Sequence, residues 1–284
     1  MRFLIFLLVF GWGIGPVHSD PLGDVQDRLV HRHGGADREY YLYEPEGLTS
    51  GAPLVIALHG LGGRAERLRY GTHLNALADQ HGFAVAYPQG AEVRPTTSYW
   101  NAAPEPVGSD DVGFLTSLVS VLEHRRGYDP AQTYVVGISN GGVMAYDMAC
   151  RAPMVFEAIA VIAGTMSGAD WQHCDPSRAT PVLHVHGTED ELIPWEGETH
   201  WLGPGDATPA IPEVVQFWAA RNGADTVQVD RDLPGAVRFR YGSTRQDDLV
   251  WFLQMDGFGH DLPNLTNAGF RAVDVAWEFF RLRP

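Results

Sequence analysis

Short apolar runs closed by glycine or histidine alternate along this chain with longer stretches whose apolar residues recur at helical spacing. Residues 54–58, 83–87, 134–136, 156–163, 182–185 and 249–255 are apolar almost throughout, the pattern of strands covered on both faces. Between them, residues 65–81 place Leu68, Leu74, Leu77 and Ala78 on one helical face. Residues 112–123 follow two aspartates suited to capping helix amides, Asp110 and Asp111, and reach an exit at Gly127. Residues 140–150 continue as a helix of small residues, Pro212 opens another through residues 217–221, and residues 268–280 present Val273, Val275, Trp277 and Phe280 for packing. Alternating runs at residues 25–33 and 38–44, joined by Gly34-Gly35-Ala36-Asp37, predict an antiparallel hairpin at the sheet edge; residues 226–231 and 237–242 predict a further pair of strands. Strands and helices in this alternation predict one α/β domain, a mostly parallel central sheet flanked by helices.

One strand-to-helix junction carries chemistry. Gly137-Ile138-Ser139-Asn140-Gly141 is a G-x-S-x-G element, in which the two glycines remove side chains that would collide where the backbone folds back, leaving the Ser139 hydroxyl outward. A serine hydroxyl is a weak nucleophile without a base, an orienting carboxylate and an oxyanion site. Three other strand ends supply candidates. Residues 54–58 run into His59-Gly60-Leu61-Gly62-Gly63, whose glycine-rich backbone can offer an amide to an oxyanion. Residues 182–185 run into His186-Gly187-Thr188-Glu189-Asp190-Glu191, and residues 249–255 into Gly257-Phe258-Gly259-His260-Asp261. In a parallel sheet such strand ends gather on one edge, where residues distant in sequence meet. Ser139, a carboxylate among residues 189–191 with Asp190 at its centre, and His260 then follow the serine, acid, histidine order of an alpha/beta-hydrolase. His59, just before the oxyanion loop, suits a structural hydrogen-bonding role, while His184 and His186 lie where the acid rather than the base is expected.

The combination HGLGG, GISNGG, HGTED and GFGH resembles the secreted esterase family that contains polyhydroxybutyrate depolymerase-like enzymes and feruloyl or acetylxylan esterases. The resemblance extends over residues 38–283. It implies hydrolysis of carboxylic esters by Ser139, selects Asp190 over its glutamate neighbours as the acid beside His260, and implies an oxyanion hole made by the backbone amides of Leu61 and Asn140. Two departures stand out. Members often carry a cysteine after the first His-Gly and a Trp-Pro-Gly segment after the catalytic histidine; this chain has Leu61 and then Asp261-Leu262-Pro263-Asn264. The triad assignment is untouched, and the substrate wall beside His260 is where this chain differs.

Composition bounds where the chain works. Met1-Arg2 precedes an apolar run over residues 3–14, with Ser19 at a plausible cleavage point, so residues 1–19 read as a secretory signal peptide and 20–284 as the catalytic domain. An uncleaved membrane anchor is the competing reading, disfavoured by the shortness of the run. All 20 basic side chains are arginines against 35 acidic ones, a formal net charge of −15, which disfavours nucleic acid, anionic membrane and polyanionic substrates as partners. Cys150 and Cys174 are the only cysteines. In an oxidising compartment they predict one disulfide restraining the segment beside Ser139, two separate thiols being the alternative; they lack the spacing of a zinc site. The expected location is secreted or periplasmic, in a bacterium; the pattern sets no oligomeric state.

Residues 89–110 lack periodicity and follow a core strand, so they are expected to reach the catalytic edge, with Trp100 either flanking the substrate or anchoring the loop. Trp195 is expected to border the same pocket. The chemistry requires no metal or organic cofactor, and the expected partner is a small-molecule or oligomeric ester. Short hydroxyalkanoate oligoesters or polyester chain ends come first, with feruloyl or acetylxylan esters as the alternative. A peptidase is the nearest other enzyme, and a noncatalytic glycan- or polymer-binding protein the other class.

Overall fold

The structure, a computed structural model, describes residues 28–94, 97–102, 108–197, 207–244 and 249–283. The expected signal peptide at residues 1–19 lies outside the described residues. In chain order the strands are β1 (Leu29–His33), β2 (Ala36–Tyr43), β3 (Leu54–Leu58), β4 (Ala84–Pro88), β5 (Ala91–Arg94), β6 (Thr97–Tyr99), β7 (Thr133–Ile138), β8 (Ala158–Ile162), β9 (Val182–Gly187), β10 (Thr226–Asp230), β11 (Ala236–Gly242) and β12 (Val250–Met255). The helices are α1 (Ala65–Gly71), α2 (Leu74–His81), α3 (Asp111–Arg126), α4 (Asn140–Arg151), α5 (Gly168–His173), α6 (Ile211–Arg221) and α7 (Ala272–Phe280).

Among the described residues, ten strands form one sheet in the order β1-β2-β4-β3-β7-β8-β9-β12-β11-β10, and β5 pairs with β6 apart from it. The six strands from β4 to β12 are parallel to their neighbours, with antiparallel strands closing both flanks. Successive side chains of a strand face opposite sides, so a wholly apolar strand feeds two cores. Leu54, Ile56 and Leu58 enter the core that includes Phe114 and Leu118 of α3, Val143 of α4 and Val214 of α6. Val55 and Ala57 enter the other, with Leu77 of α2 and Val273 of α7. There Trp277 stacks on Phe83 at 4.0 Å between ring centroids and Phe280 on Tyr134 at 4.6 Å. Truncating such a ring to alanine typically costs about 3–5 kcal/mol. No helix among the described residues is long and apolar enough to cross a membrane.

The alpha/beta-hydrolase architecture is the one expected, with local differences that have physical causes. The helix anticipated over 65–81 is two helices. Thr72 Oγ1 donates back to the Leu68 carbonyl at 3.0 Å, and His73 adopts φ 62°, a left-handed turn that ends one helix and starts the next. Residues 89–110 contain the β5–β6 pair and residues 168–173 form α5, elements too short for periodicity to reveal. The last helix begins at Ala272 rather than at residue 268, because Asn264 and Asn267 bond backbone groups of residues 262–267 and hold them in a turn.

Beneath the serine helix lies a second ordering device. Cys150 and Cys174 form a disulfide joining the last turn of α4 to the residue after α5. One turn earlier, Asp147 of α4 hydrogen-bonds the carboxyl of Asp170 of α5; both side chains are buried, and Ser167 Oγ donates to Asp170 Oδ2 at 2.8 Å. Burial and the facing carboxyl hold Asp147 well above the usual carboxylate range, against the pull of Arg151 at 3.1 Å. Burial also raises Asp170.

Two expectations follow from this α4–α5 joint. The bridge spans a sequence separation of 24, for which the chain-entropy account gives about 3.5 kcal/mol. A Cys150→Ala/Cys174→Ala double variant should lose roughly that much in urea unfolding, and a loss below about 1 kcal/mol would mean that the bridge constrains little. A raised carboxyl pKa means that the folded state keeps a proton which the unfolded chain has released. That stabilisation is complete below the ordinary carboxylate range and is lost as pH rises through the raised pKa of Asp147. Asp147→Asn should therefore flatten the decline of Tm between acidic and alkaline buffer, whereas an unchanged slope would place its origin elsewhere.

Candidate active site

Strand β7 ends at Ile138 and α4 begins at Asn140, which leaves Ser139 to reverse the chain alone at φ 54°, ψ −121°. A side-chain-bearing residue reaches this region only when its surroundings enforce it, at a cost of about 1–3 kcal/mol. Here Ser139 N–H donates to the Ile162 carbonyl at 2.9 Å, and its carbonyl accepts from the amides of Gly142 and Val143 at 2.8 and 3.0 Å. The flanking glycines are sterically required. A Cβ on Gly137 would lie 2.0 Å from the Gly141 carbonyl oxygen, and one on Gly141 would lie 2.5 Å from that of Leu58. The HGLGG loop also presses on the elbow, since a Cβ on Gly60 would sit 3.3 Å from that of Ser139.

The loops after β9 and β12 bring Asp190 and His260 to this point. Neighbouring parallel strands start them side by side, and Glu189 N–H donates to the Phe258 carbonyl at 3.0 Å, strapping one loop to the other. His260 Nδ1 lies 2.7 Å from Asp190 Oδ2 and its Nε2 lies 3.0 Å from Ser139 Oγ. An ionised carboxylate only accepts, so Nδ1 carries the proton and Nε2 is free to accept from the serine hydroxyl. Asp190 is buried, whereas Glu189 and Glu191 are exposed, so the middle residue of the three is the one brought to His260. Its other oxygen, Oδ1, accepts from the amides of Leu192 at 2.9 Å and Ile193 at 2.8 Å. Burial alone would raise the Asp190 pKa; the bond to His260, that ring's charge and the Ile193 amide outweigh it and hold the group below the usual range.

A second set of bonds holds the loop opposite. His59 is buried; its Nε2 accepts from the Gly90 amide at 3.0 Å and from Gln89 Nε2 at 3.1 Å, and its Nδ1–H donates to the Gly60 carbonyl at 2.8 Å. Burial lowers its pKa to about 4, so it stays neutral and fully committed to the loop. Trp100 is 1% exposed and presents no wall to a substrate. Of its two expected roles the anchoring one is realised: Nε1–H donates to the His59 carbonyl at 2.9 Å, and its backbone N–H and carbonyl pair with the Asn140 side chain at 2.7 and 3.1 Å. Asp111, expected to cap a helix, is turned inward, where it pairs with Arg38 at 2.7 Å and accepts from the Asn101 amide at 2.8 Å; Asp110 alone makes the cap. Sequence reasoning missed Gln89, Asp111 and the Asn140 side chain as organisers of the site, although the position of Gln89 directly after a core strand was a usable sign.

Leu61 is exposed and Asn140 opens α4; among the described residues neither backbone amide has a protein acceptor, the property required of oxyanion donors. Trp195 is half-buried, its ring against Phe252 at 5.7 Å and His186 at 6.4 Å. No group of three or more His, Cys, Asp or Glu among the described residues is placed to hold a metal ion. The arrangement can deliver a serine oxygen to an electrophilic carbon and return the proton to a leaving group.

Residues 38–182 match the family model described as Esterase PHB depolymerase. NocK of Nocardia uniformis subsp. tsuyamanensis, a protein assigned as an esterase, is 33% identical over 278 residues, covering 88% of this chain and 78% of its own length. Feruloyl esterase C of Emericella nidulans is 28% identical over 287 residues, covering 96% of each. Among solved structures, an acetyl xylan esterase from Aspergillus awamori shares the fold with a TM-score of 0.64 at 19% identity, over 86% of this chain and 94% of that one.

Asn140→Ala leaves the Trp100 amide and carbonyl buried without their partner, a loss of about 2–3 kcal/mol. Because Trp100 also holds the His59 carbonyl beside the HGLGG loop, ester turnover should fall about tenfold at the same time. Urea unfolding and kcat measured on one preparation check both; a destabilised variant with unaltered kcat would detach Trp100 from the site.

Proposed function

Because this chain belongs to the Esterase PHB depolymerase family, and is a carboxylic-ester hydrolase by that membership, we propose that it works as a serine esterase through an acyl-enzyme. The observation that carries this reading is the run of bonds from Ser139 Oγ to His260 Nε2 at 3.0 Å and from His260 Nδ1 to Asp190 Oδ2 at 2.7 Å. His260 takes the hydroxyl proton as Ser139 attacks the ester carbonyl, and Asp190 holds the resulting imidazolium in place. The amides of Leu61 and Asn140 receive the negative charge on the carbonyl oxygen. The tetrahedral intermediate collapses, the alcohol leaves with the proton from His260, and water repeats the sequence on the acyl-Ser139 ester to release the acid.

The substrate class we propose is short hydroxyalkanoate oligoesters or polyester chain ends, supported by the family match over residues 38–182. A second reading, feruloyl or acetylxylan esters of plant cell-wall polysaccharide, is favoured by the likeness to Feruloyl esterase C along 96% of both chains. Trp195 is the remaining aromatic candidate for a pocket wall. The Cys150–Cys174 bridge supports export to an oxidising compartment, where it persists.

A kcat/KM panel of hydroxybutyrate oligomers, methyl ferulate, acetylated xylo-oligosaccharides, long-chain triglycerides and peptides, with Ser139→Ala as the blank, tests both levels. Ser139→Ala should remain folded and lose about four to six orders of magnitude in kcat on any ester that the chain cleaves. Highest kcat/KM on hydroxybutyrate oligomers supports the first substrate reading, and a phenolic or acetyl preference supports the second. Dominant activity on peptides or long-chain triglycerides would defeat both.

A further inference from the structure

Two histidines one residue apart on a strand project to the same face of the sheet. His184 and His186 of β9 do so at the centre of the molecule, and with Tyr146 of α4 they are almost wholly shielded from solvent, at 0%, 1% and 0% exposure. Three polar side chains in an apolar core are costly unless they bond one another or the backbone. Tyr146 Oη lies 2.6 Å from His184 Nδ1, His184 Nε2 lies 3.3 Å from His186 Nδ1, and His186 Nε2 lies 2.9 Å from the Ile193 carbonyl.

The end of this chain fixes its direction. A carbonyl oxygen only accepts, so His186 Nε2 carries a proton, and its Nδ1, left without one, accepts from His184 Nε2–H. His184 Nδ1 then accepts from the Tyr146 hydroxyl. The chain ends beside the acid: His186 Nε2 lies 3.5 Å from Asp190 Oδ2, and the same residue Ile193, through its amide in the preceding peptide group, donates to Asp190 Oδ1 at 2.8 Å. Burial lowers the pKa of both histidines, against Asp190 and the Ile193 and Gly164 backbone in the case of His186, and raises that of Tyr146, so the three stay neutral. Asp190 is thus approached from two sides: by Ser139 through His260, and by Tyr146 through two imidazoles, the second of which faces Asp190 Oδ2 and is tied to the residue, Ile193, whose amide bonds Asp190 Oδ1. Both routes start on the same backbone, since Ser139 caps α4 and Tyr146 lies two turns along it.

We propose that Tyr146, His184 and His186 are positioning residues for the reaction, a one-way donor chain that fixes Asp190 against the helix carrying Ser139. This rests on the reading of Ser139, His260 and Asp190 as the catalytic triad. Weakening the chain leaves more charge on the carboxylate oxygen that faces His260, and so changes the field in which the imidazole exchanges its proton with Ser139. The titratable groups facing this point are His260 and His186 around Asp190, His184 and Asp190 around His186, and Tyr146 and His186 around His184.

Tyr146→Phe removes one oxygen and keeps the ring. On an ester cleaved by the wild type, kcat should fall about fivefold to tenfold with KM unchanged, and the acid limb of the kcat/KM profile should move to higher pH. His186→Gln, whose amide can still reach the Ile193 carbonyl, should retain more activity than His186→Asn, which is too short. A Tyr146→Phe variant with lowered Tm but wild-type kcat and limb, or Gln and Asn variants of equal activity, would reduce the chain to a packing element and overturn the proposal. If these variants do not fold, two-bond 1H–15N spectra of histidine-labelled wild type decide: both rings should be neutral Nε2–H tautomers from pH 5 to 8, and an Nδ1–H form or a titrating ring at either position would overturn it. Ser139→Ala run alongside separates the levels, because persistent turnover there removes the triad reading itself, whereas its loss with Tyr146→Phe unaffected removes only the positioning chain.

Discussion

A backbone that turns back on itself at a single left-handed residue sets the terms for the rest of the molecule. Ser139 sits at φ 54° with no glycine's freedom, and the reversal brings the Gly137 position to within 2.0 Å, measured from a would-be Cβ, of the Gly141 carbonyl oxygen. Such strain persists only in an over-determined setting. Strands β3, β7 and β8 provide it, through the Ile162 carbonyl on one side and the Leu58 carbonyl on the other. The parallel sheet is therefore more than a scaffold: its strand ends clamp the elbow and launch the acid and base loops from adjacent positions.

Four buried aspartates show how surroundings divide one residue type into different states. Asp190 meets an imidazole and two backbone amides, and is held ionised. Asp147 meets the carboxyl of Asp170 and is held protonated well beyond the usual range, with a single arginine opposing. Asp111 meets the Arg38 guanidinium and the Asn101 amide and serves as an anchor for the loop that carries Trp100. Counting donors and acceptors at each carboxyl predicts these roles better than burial does, since all four are nearly inaccessible.

Much of this was legible in the chain. The apolar runs marked β3, β7 and β9, and the G-x-S-x-G, HGTED and GFGH segments named the three side chains that meet at the elbow. Periodicity failed where local bonds override it: at Thr72 and His73, which split a continuous helical pattern, and at Asn264 and Asn267, which delay the last helix. It also passed over β5 and β6, which are too short to show a period. Trp100 offered two readings because an aromatic residue in a loop has the same sequence signature whether it faces ligand or core; only its bonds to His59 and Asn140 separate them. The Tyr146, His184 and His186 connection is invisible in one dimension, since it depends on a helix turn and a strand face meeting in space.

Covalent trapping tests the central claim most directly. Brief incubation with a p-nitrophenyl dialkyl phosphate, which phosphorylates an activated serine and releases nitrophenolate, followed by intact-mass measurement and peptide mapping, should give one dialkylphosphoryl group per chain, located on Ser139. The adduct should form far more slowly in His260→Ala, where the hydroxyl has no acceptor for its proton. An unmodified Ser139 with label on another side chain, or labelling of Ser139 at the same rate without His260, would contradict the account.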